Sequence, residues 1–110
     1  MATSVPIDHA AVFVGASETE IGQAPSGKEW HVPVVRFCNT DVEPITLSIY
    51  ITGAAQSITD VLAEYKDVSL AGKDTLEYGP VILPALKKIK AVASVAAKIS
   101  AHVQGWERTP

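Results

Sequence analysis

Cysteine is almost missing from this chain of 110 residues: Cys38 stands alone. No internal disulfide can form, so stability has to come from a packed core, as in a reducing compartment. Charge is also thin. Asp, Glu, Lys and Arg make up 19% of residues, below the roughly 25% of an ordinary soluble domain. The balance is acidic, with net charge −3 and pI near 5.5, which argues against a nucleic-acid binder and its basic surface. No apolar run approaches 18 residues, so no membrane-spanning helix is expected. The first nine residues have no basic lead-in and carry Asp8, so no secretory leader is expected either. Repeats, low-complexity tracts and linkers are absent, which leaves one domain over 1–110.

Apolar residues are plentiful, at 47% with mean hydropathy +0.19. A folded chain of 11.6 kDa exposes on the order of 5,800 Å². With so few charges, part of that surface must be apolar, the condition of a protein that contacts other proteins. Turn signals come at short intervals: Pro25-Ser26-Gly27-Lys28, Asn39-Thr40-Asp41 with Pro44, Gly53, Ala71-Gly72-Lys73-Asp74, Gly79-Pro80, Pro84 and Gly105. Punctuation of this density favours many short strands.

Strands are expected at Ala10–Val14, at Trp30–Phe37 with Pro33 on an edge or bulge, at Thr75–Tyr78 and at Val81–Leu83. Ile45, Leu47, Ile49 and Ile51 alternate with Thr46, Ser48, Tyr50 and Thr52, the period of a half-buried strand. The polar residues and Pro44 between Phe37 and Ile45 predict a β-hairpin with a longer loop. A short helical turn is expected near 59–65, opened by Thr59 or Asp60 as cap. From Ala85 to Val103 two readings stand side by side. Leu86, Ile89, Val92 or Ala93, Ala96 and Ile99 fit a helix, while Ile89, Ala91 and Ala93, then Ile99, Ala101 and Val103, fit two strands. With strands there the fold is expected to be all-β, a single antiparallel β-sandwich of jelly-roll or immunoglobulin-like type; with a C-terminal helix it is α+β. Residues 1–8 and 108–110 read as terminal arms.

Chemistry is hard to find. His9, His31 and His102 show no ligand spacing. Cys38, between Phe37 and Asn39, reads as a buried thiol at a strand end rather than a nucleophile. The acidic pairs Asp41/Glu43 and Asp60/Glu64 read as solvated turn residues, with weak calcium at the Asp41 loop as the other use. Lys87, Lys88 and Lys90 read as a solvated strand face. No phosphate loop or dinucleotide fingerprint occurs. No catalytic residue, metal ligand or cofactor is assigned, and an enzyme is not expected. Trp30 and Trp106 are the candidate subunit contacts, because tryptophan buries a large area and concentrates at binding surfaces.

Three stretches carry a resemblance. Pro25-Ser26-Gly27-Lys28-Glu29-Trp30, Val34-Val35-Arg36-Phe37-Cys38-Asn39-Thr40 and Ile45–Ile51 resemble the small β-sandwich structural proteins of tailed bacteriophages. Val68–Glu77, Gly79–Leu83 and Ile99–Glu107 follow the same layout, so the resemblance spans roughly residues 10 to 107. It departs at Pro84-Ala85-Leu86-Lys87-Lys88, where that family has a Gly-Asp turn. The resemblance implies strands in the C-terminal third. It also implies a non-enzymatic virion protein made in the bacterial cytoplasm, decorating or stabilising the capsid or forming part of the neck or tail. Its implied partners are itself, as a trimer or higher, and the major capsid or neck and tail proteins. The other functional reading is a carbohydrate- or receptor-binding module, with Trp30, Tyr50 and Tyr65 as a stacking platform.

Overall fold

A computed structural model describes residues 3–7 and 9–110. Ten strands follow in chain order: β1 (Thr3–Pro6), β2 (Val12–Phe13), β3 (Thr19–Gln23), β4 (Glu29–Asn39), β5 (Ile45–Thr52), β6 (Ala63–Leu70), β7 (Thr75–Tyr78), β8 (Val81–Leu83), β9 (Lys88–Ala93) and β10 (Ile99–Thr109). The larger sheet runs β1-β10-β4-β7, with β2 also on β10 and β8 also on β4; the smaller runs β3-β9-β5-β6. All pairings are antiparallel. When β1 with β2 and β7 with β8 are taken as interrupted strands, the order is that of an eight-stranded jelly roll. The chain is therefore an all-β sandwich. Its long dimension, 48 Å against 25 and 18 Å, follows from β4 and β10, whose 11 residues each outrun the smaller sheet.

The core lies between the sheets, with Val35, Phe37, Leu47, Ile49, Leu83, Ile89 and Ile99 among its fully buried side chains. The C-terminal third is β9 and β10, not a helix. Ile89, Ala91 and Ala93, then Ile99, Ala101 and Val103, all point inward and are buried, as the strand period requires. The helical turn near 59–65 is one 3-10 turn, Asp60–Leu62, after which Ala63 opens β6. Thr59 occupies the cap position without a side-chain cap bond.

The expected hairpin between Phe37 and Ile45 is instead an arch. β4 belongs to the larger sheet and β5 to the smaller. Asn39 is the physical reason. Fully buried, it donates from Nδ2 to the carbonyls of Glu43, Leu70 and Ala71 at 2.9, 3.0 and 3.3 Å, and accepts from the Asp41 N–H at 3.0 Å. That side chain turns the chain across the sandwich where a hairpin would have paired backbone with backbone. A second difference concerns β5, which is buried on both faces. Ser48, Tyr50 and Thr52, on the face away from the core, are buried too, so the strand is not half-buried.

Residues 3–6 are no free arm. Thr3, Ser4, Val5 and Pro6 pair with Thr109, Arg108, Glu107 and Trp106, so both expected arms enter one sheet; Met1, Ala2 and Asp8 lie outside the described residues.

Pro33 sits at a bulge, the second of the positions its sequence allowed. Trp30 and Val32 point inward, as do Val35, Phe37 and Asn39, so the alternation slips at Pro33-Val34. On β10, Gln104 faces Val34 and Trp106 faces His31. Gly105 therefore stands against two residues of β4. A Cβ there would lie 2.2 Å from the His31 carbonyl oxygen, so only glycine lets the backbones meet this closely. Gly105 thus lies inside a strand rather than at a turn. On the other side, Val32 faces Val81 and Val35 faces Tyr78, which sets Pro33-Val34 against Gly79-Pro80. Both prolines lack an N–H, so neither leaves a ladder donor stranded.

Candidate functional site

The bulge creates the most distinctive surface of the molecule. Beyond it, Pro6, Trp106, His31 and Ile82 are cross-strand partners in one row over β1, β10, β4 and β8. The inward Trp30 and Glu107 fix the opposite side of these strands, so the row points outward. Trp106 is 52% exposed and Ile82 57%. A groove of about 320 Å³ opens beside them, lined by His31, Val32, Pro33, Pro80, Val81, Ile82 and Trp106. The next row outward is polar: Ser4, Arg108 and Glu29. Glu29 Oε1 lies 2.6 Å from His31 Nε2, which fixes one nitrogen of a residue that lines the groove.

Trp106 is therefore a surface residue, whereas Trp30 is not. Trp30 is 6% exposed, packs in the core and donates its Nε1–H to Glu107 Oε1 at 3.1 Å. Its ring serves the fold and offers no contact surface. The platform of Trp30, Tyr50 and Tyr65 does not form. Tyr50 is buried on the outer face of the smaller sheet, and Tyr65 packs edge-on against Tyr78 with centroids 5.8 Å apart.

The histidines engage separate partners. His9 Nε2 meets the Ile21 carbonyl at 2.6 Å, His31 meets Glu29, and His102 meets Gln104. Cys38 is half-buried rather than buried, opposite Ser100 and Thr75 on the outer face of the larger sheet. Asp41 spends one carboxylate oxygen on the Val42 N–H at 2.7 Å. Glu64 accepts from the Tyr78 hydroxyl at 2.9 Å, and Asp60 pairs with Lys66 at 3.4 Å. Among the described residues no group of three or more His, Cys, Asp or Glu is placed to hold a metal ion, and no helix is long and apolar enough to cross a membrane.

Of the three lysines Lys87 is exposed, whereas Lys88 and Lys90 are not on a solvated face. Lys88 pairs with Glu20 at 2.9 Å and Lys90 is 7% exposed. Lys90 Nζ donates to the Gln56 carbonyl at 2.8 Å and lies 3.3 Å from Glu18 Oε2. Glu18 Oε1 in turn accepts the Ile58 N–H at 2.6 Å. These bonds hold the segment after β5 down over Tyr50. The Ile58 bond, with help from Lys90 and Lys88, lowers the Glu18 pKa below its ordinary value.

The sheet edges are poorly suited to strand addition. β1 and β2 are separated by residues 7–11, β7 and β8 by Gly79-Pro80, and β3 has only five residues. β6 carries Lys66 and a positive-φ Asp67. Short, charged and interrupted edges resist pairing with another chain. Exposed apolar surface is found on the faces instead, where Trp106 stands out.

Comparison with protein-family models, with curated proteins and with solved structures gives no match for this chain.

Proposed function

We propose that the chain is a non-enzymatic structural protein of a tailed-bacteriophage virion. It assembles in multiple copies, trimer or higher, to decorate or stabilise the capsid or to build part of the neck or tail. It is made in the host cytoplasm and acts in the particle, against copies of itself and the major capsid or neck and tail proteins. The observation that carries this reading is the outward row Pro6–Trp106–His31–Ile82 beside its groove. The turn-and-strand resemblance described above supports it, and so does the jelly-roll order, which recurs in viral capsid proteins and in lectin domains. Fold alone does not choose between those two uses.

The energetics suit repetition. Covering the exposed half of Trp106 removes on the order of 100 Å² of apolar surface, about 2.5 kcal/mol. One such contact is modest. Repeated around a symmetric particle, it holds firmly. Quantitative mass spectrometry of purified particles tests the reading, with many chain copies per particle expected. Absence from the particle would contradict it.

The second reading, a carbohydrate- or receptor-binding module, is favoured by one feature: an exposed tryptophan beside a groove is a plate on which a sugar ring can stack. Trp106 takes the role expected of Trp30. Glycan-array binding lost on Trp106→Ala would establish it in place of the first.

A further inference from the structure

We infer that the outer face of the larger sheet pairs with the same face of a second copy, about a two-fold axis parallel to the strands and lying between β10 and β4. The inference rests on the preceding reading only in taking this face as a protein contact, and adds which protein covers it and in what register.

The argument is one of self-complementarity. Across the strands the apolar row reads Pro6, Trp106, His31, Ile82, and the polar row beside it reads Ser4, Arg108, Glu29. A two-fold axis between β10 and β4 reverses each row onto itself. Trp106 then lies over the second copy's His31, at the groove bounded by Pro33, Pro80 and Ile82, and each tryptophan is a knob entering the other copy's groove. Pro6 comes over the second copy's Ile82. In the polar row Arg108 comes over the second copy's Glu29, so two opposite-charge pairs form for every dimer. The same face-to-face contact is isologous, as a two-fold interface must be.

Charge selects this axis over its neighbours. An axis through β10 would set Arg108 on Arg108 and Trp106 on Trp106. One through β4 would set Glu29 on Glu29. Each shift of the axis is about half the strand spacing of roughly 4.8 Å, yet it exchanges attraction for repulsion, and like charges held together discriminate strongly against a register. Arg36, paired with Glu77 at 3.3 Å within its own chain, lies over the second copy's His102 and brings no new unpaired acid. The interrupted and charged edges leave the faces as the route to association. The contact is compatible with a larger ring or lattice assembled from pairs.

The test is a charge-swap mixing experiment, read by light scattering with circular dichroism as the check on folding. The isolated wild-type chain is expected at twice its 11.6 kDa mass, as the paired unit from which the larger assembly is built. Arg108→Glu sets two acids face to face, and Glu29→Arg sets two bases, so each variant alone is expected at the single-chain mass. An equimolar mixture restores both opposite-charge pairs and is expected to return to the doubled mass. Within one chain the mixture changes nothing, so its recovery reports contact between chains. Ile82→Glu, at an exposed position that leaves the core intact, is expected to run at the single-chain mass and not to be rescued by either variant. A wild-type chain of single mass at its highest soluble concentration would overturn the pairing. So would a dimer that survives both charge reversals, or variants that remain single when mixed. None of these outcomes bears on whether the chain is present in particles, so the two readings fail separately.

Discussion

Lys90 and Gln56 are joined by a 2.8 Å hydrogen bond from the lysine Nζ to the glutamine backbone carbonyl, and the segment that carries Gln56 leaves the lysine almost fully buried. A buried cation needs such partners, because an unpaired one is costly. Lys90→Met keeps much of the apolar stem but strands the carbonyl and frees Glu18. The expected cost is about 1–2 kcal/mol, with faster amide exchange over residues 56–58. Urea denaturation measures the first and hydrogen exchange the second. Unchanged exchange would show that the segment is held by something else.

Glu18 makes the same segment sensitive to acid. Its pKa is lowered in the fold, chiefly by the Ile58 N–H bond and further by Lys90 and Lys88. A carboxylate with a depressed folded value stabilises fully above its unfolded value, near 4.5, and that stabilisation is lost as pH falls through the folded value. The Ile58 amide proton shift is therefore expected to hold steady above pH 4.5 and to titrate below it. Nuclear magnetic resonance of the amide, with Glu18→Gln as the control that abolishes the titration, checks the sign.

Tyr78 makes the fold sensitive to alkali. It stands on β7 of one sheet and donates to Glu64 on β6 of the other at 2.9 Å. Burial, then the Glu64 carboxylate, push its pKa well above the ordinary 10. A raised folded value means stability is fully present below pH 10 and lost as pH rises through the folded value. Tyr78 is expected to ionise above the ordinary tyrosine range, close to alkaline unfolding, as read by phenolate absorbance. Tyr78→Phe is expected to remove that late ionisation and to cost about 1 kcal/mol at neutral pH for the lost hydrogen bond.

Asn39 is the arch's anchor, with three carbonyls and one N–H satisfied by a single side chain. Asn39→Leu is close in volume but pairs with none of them. Stranding these groups is expected to cost about 3 kcal/mol and to lower the urea midpoint without changing the slope. Asn39→Ser, which keeps one acceptor and one donor, is expected to lose less. Equal losses would mean that shape alone matters there.

Much of the sandwich was legible because its buried faces repeat with period two. Over 85–103 the apolar residues fit a helix through Leu86, Ile89, Ala93, Ala96 and Ile99 and strands through Ile89, Ala91 and Ala93, and the resemblance rather than periodicity favoured strands. β6 escaped because an exposed edge strand such as Glu64-Tyr65-Lys66-Asp67 has no apolar stripe to repeat. The arch escaped because a polar loop between two strands looks the same whether the strands pair or part; only the burial of Asn39 distinguishes them. Of the candidate site, Trp106 was legible as a candidate contact, though not apart from Trp30. Its neighbours were not, because Pro6, His31 and Ile82 lie far apart in sequence and meet only through the register of four strands. A close approach at Gly105 sets that register, and a lone glycine in a polar stretch looks like a turn.

The most direct measurement is a side-chain-resolution reconstruction of the intact particle. Trp106 is expected beneath a neighbouring protein copy, with the groove beside His31 and Ile82 filled. A particle that lacks the chain, or one in which Trp106 faces open solvent, would contradict the structural role assigned to this face.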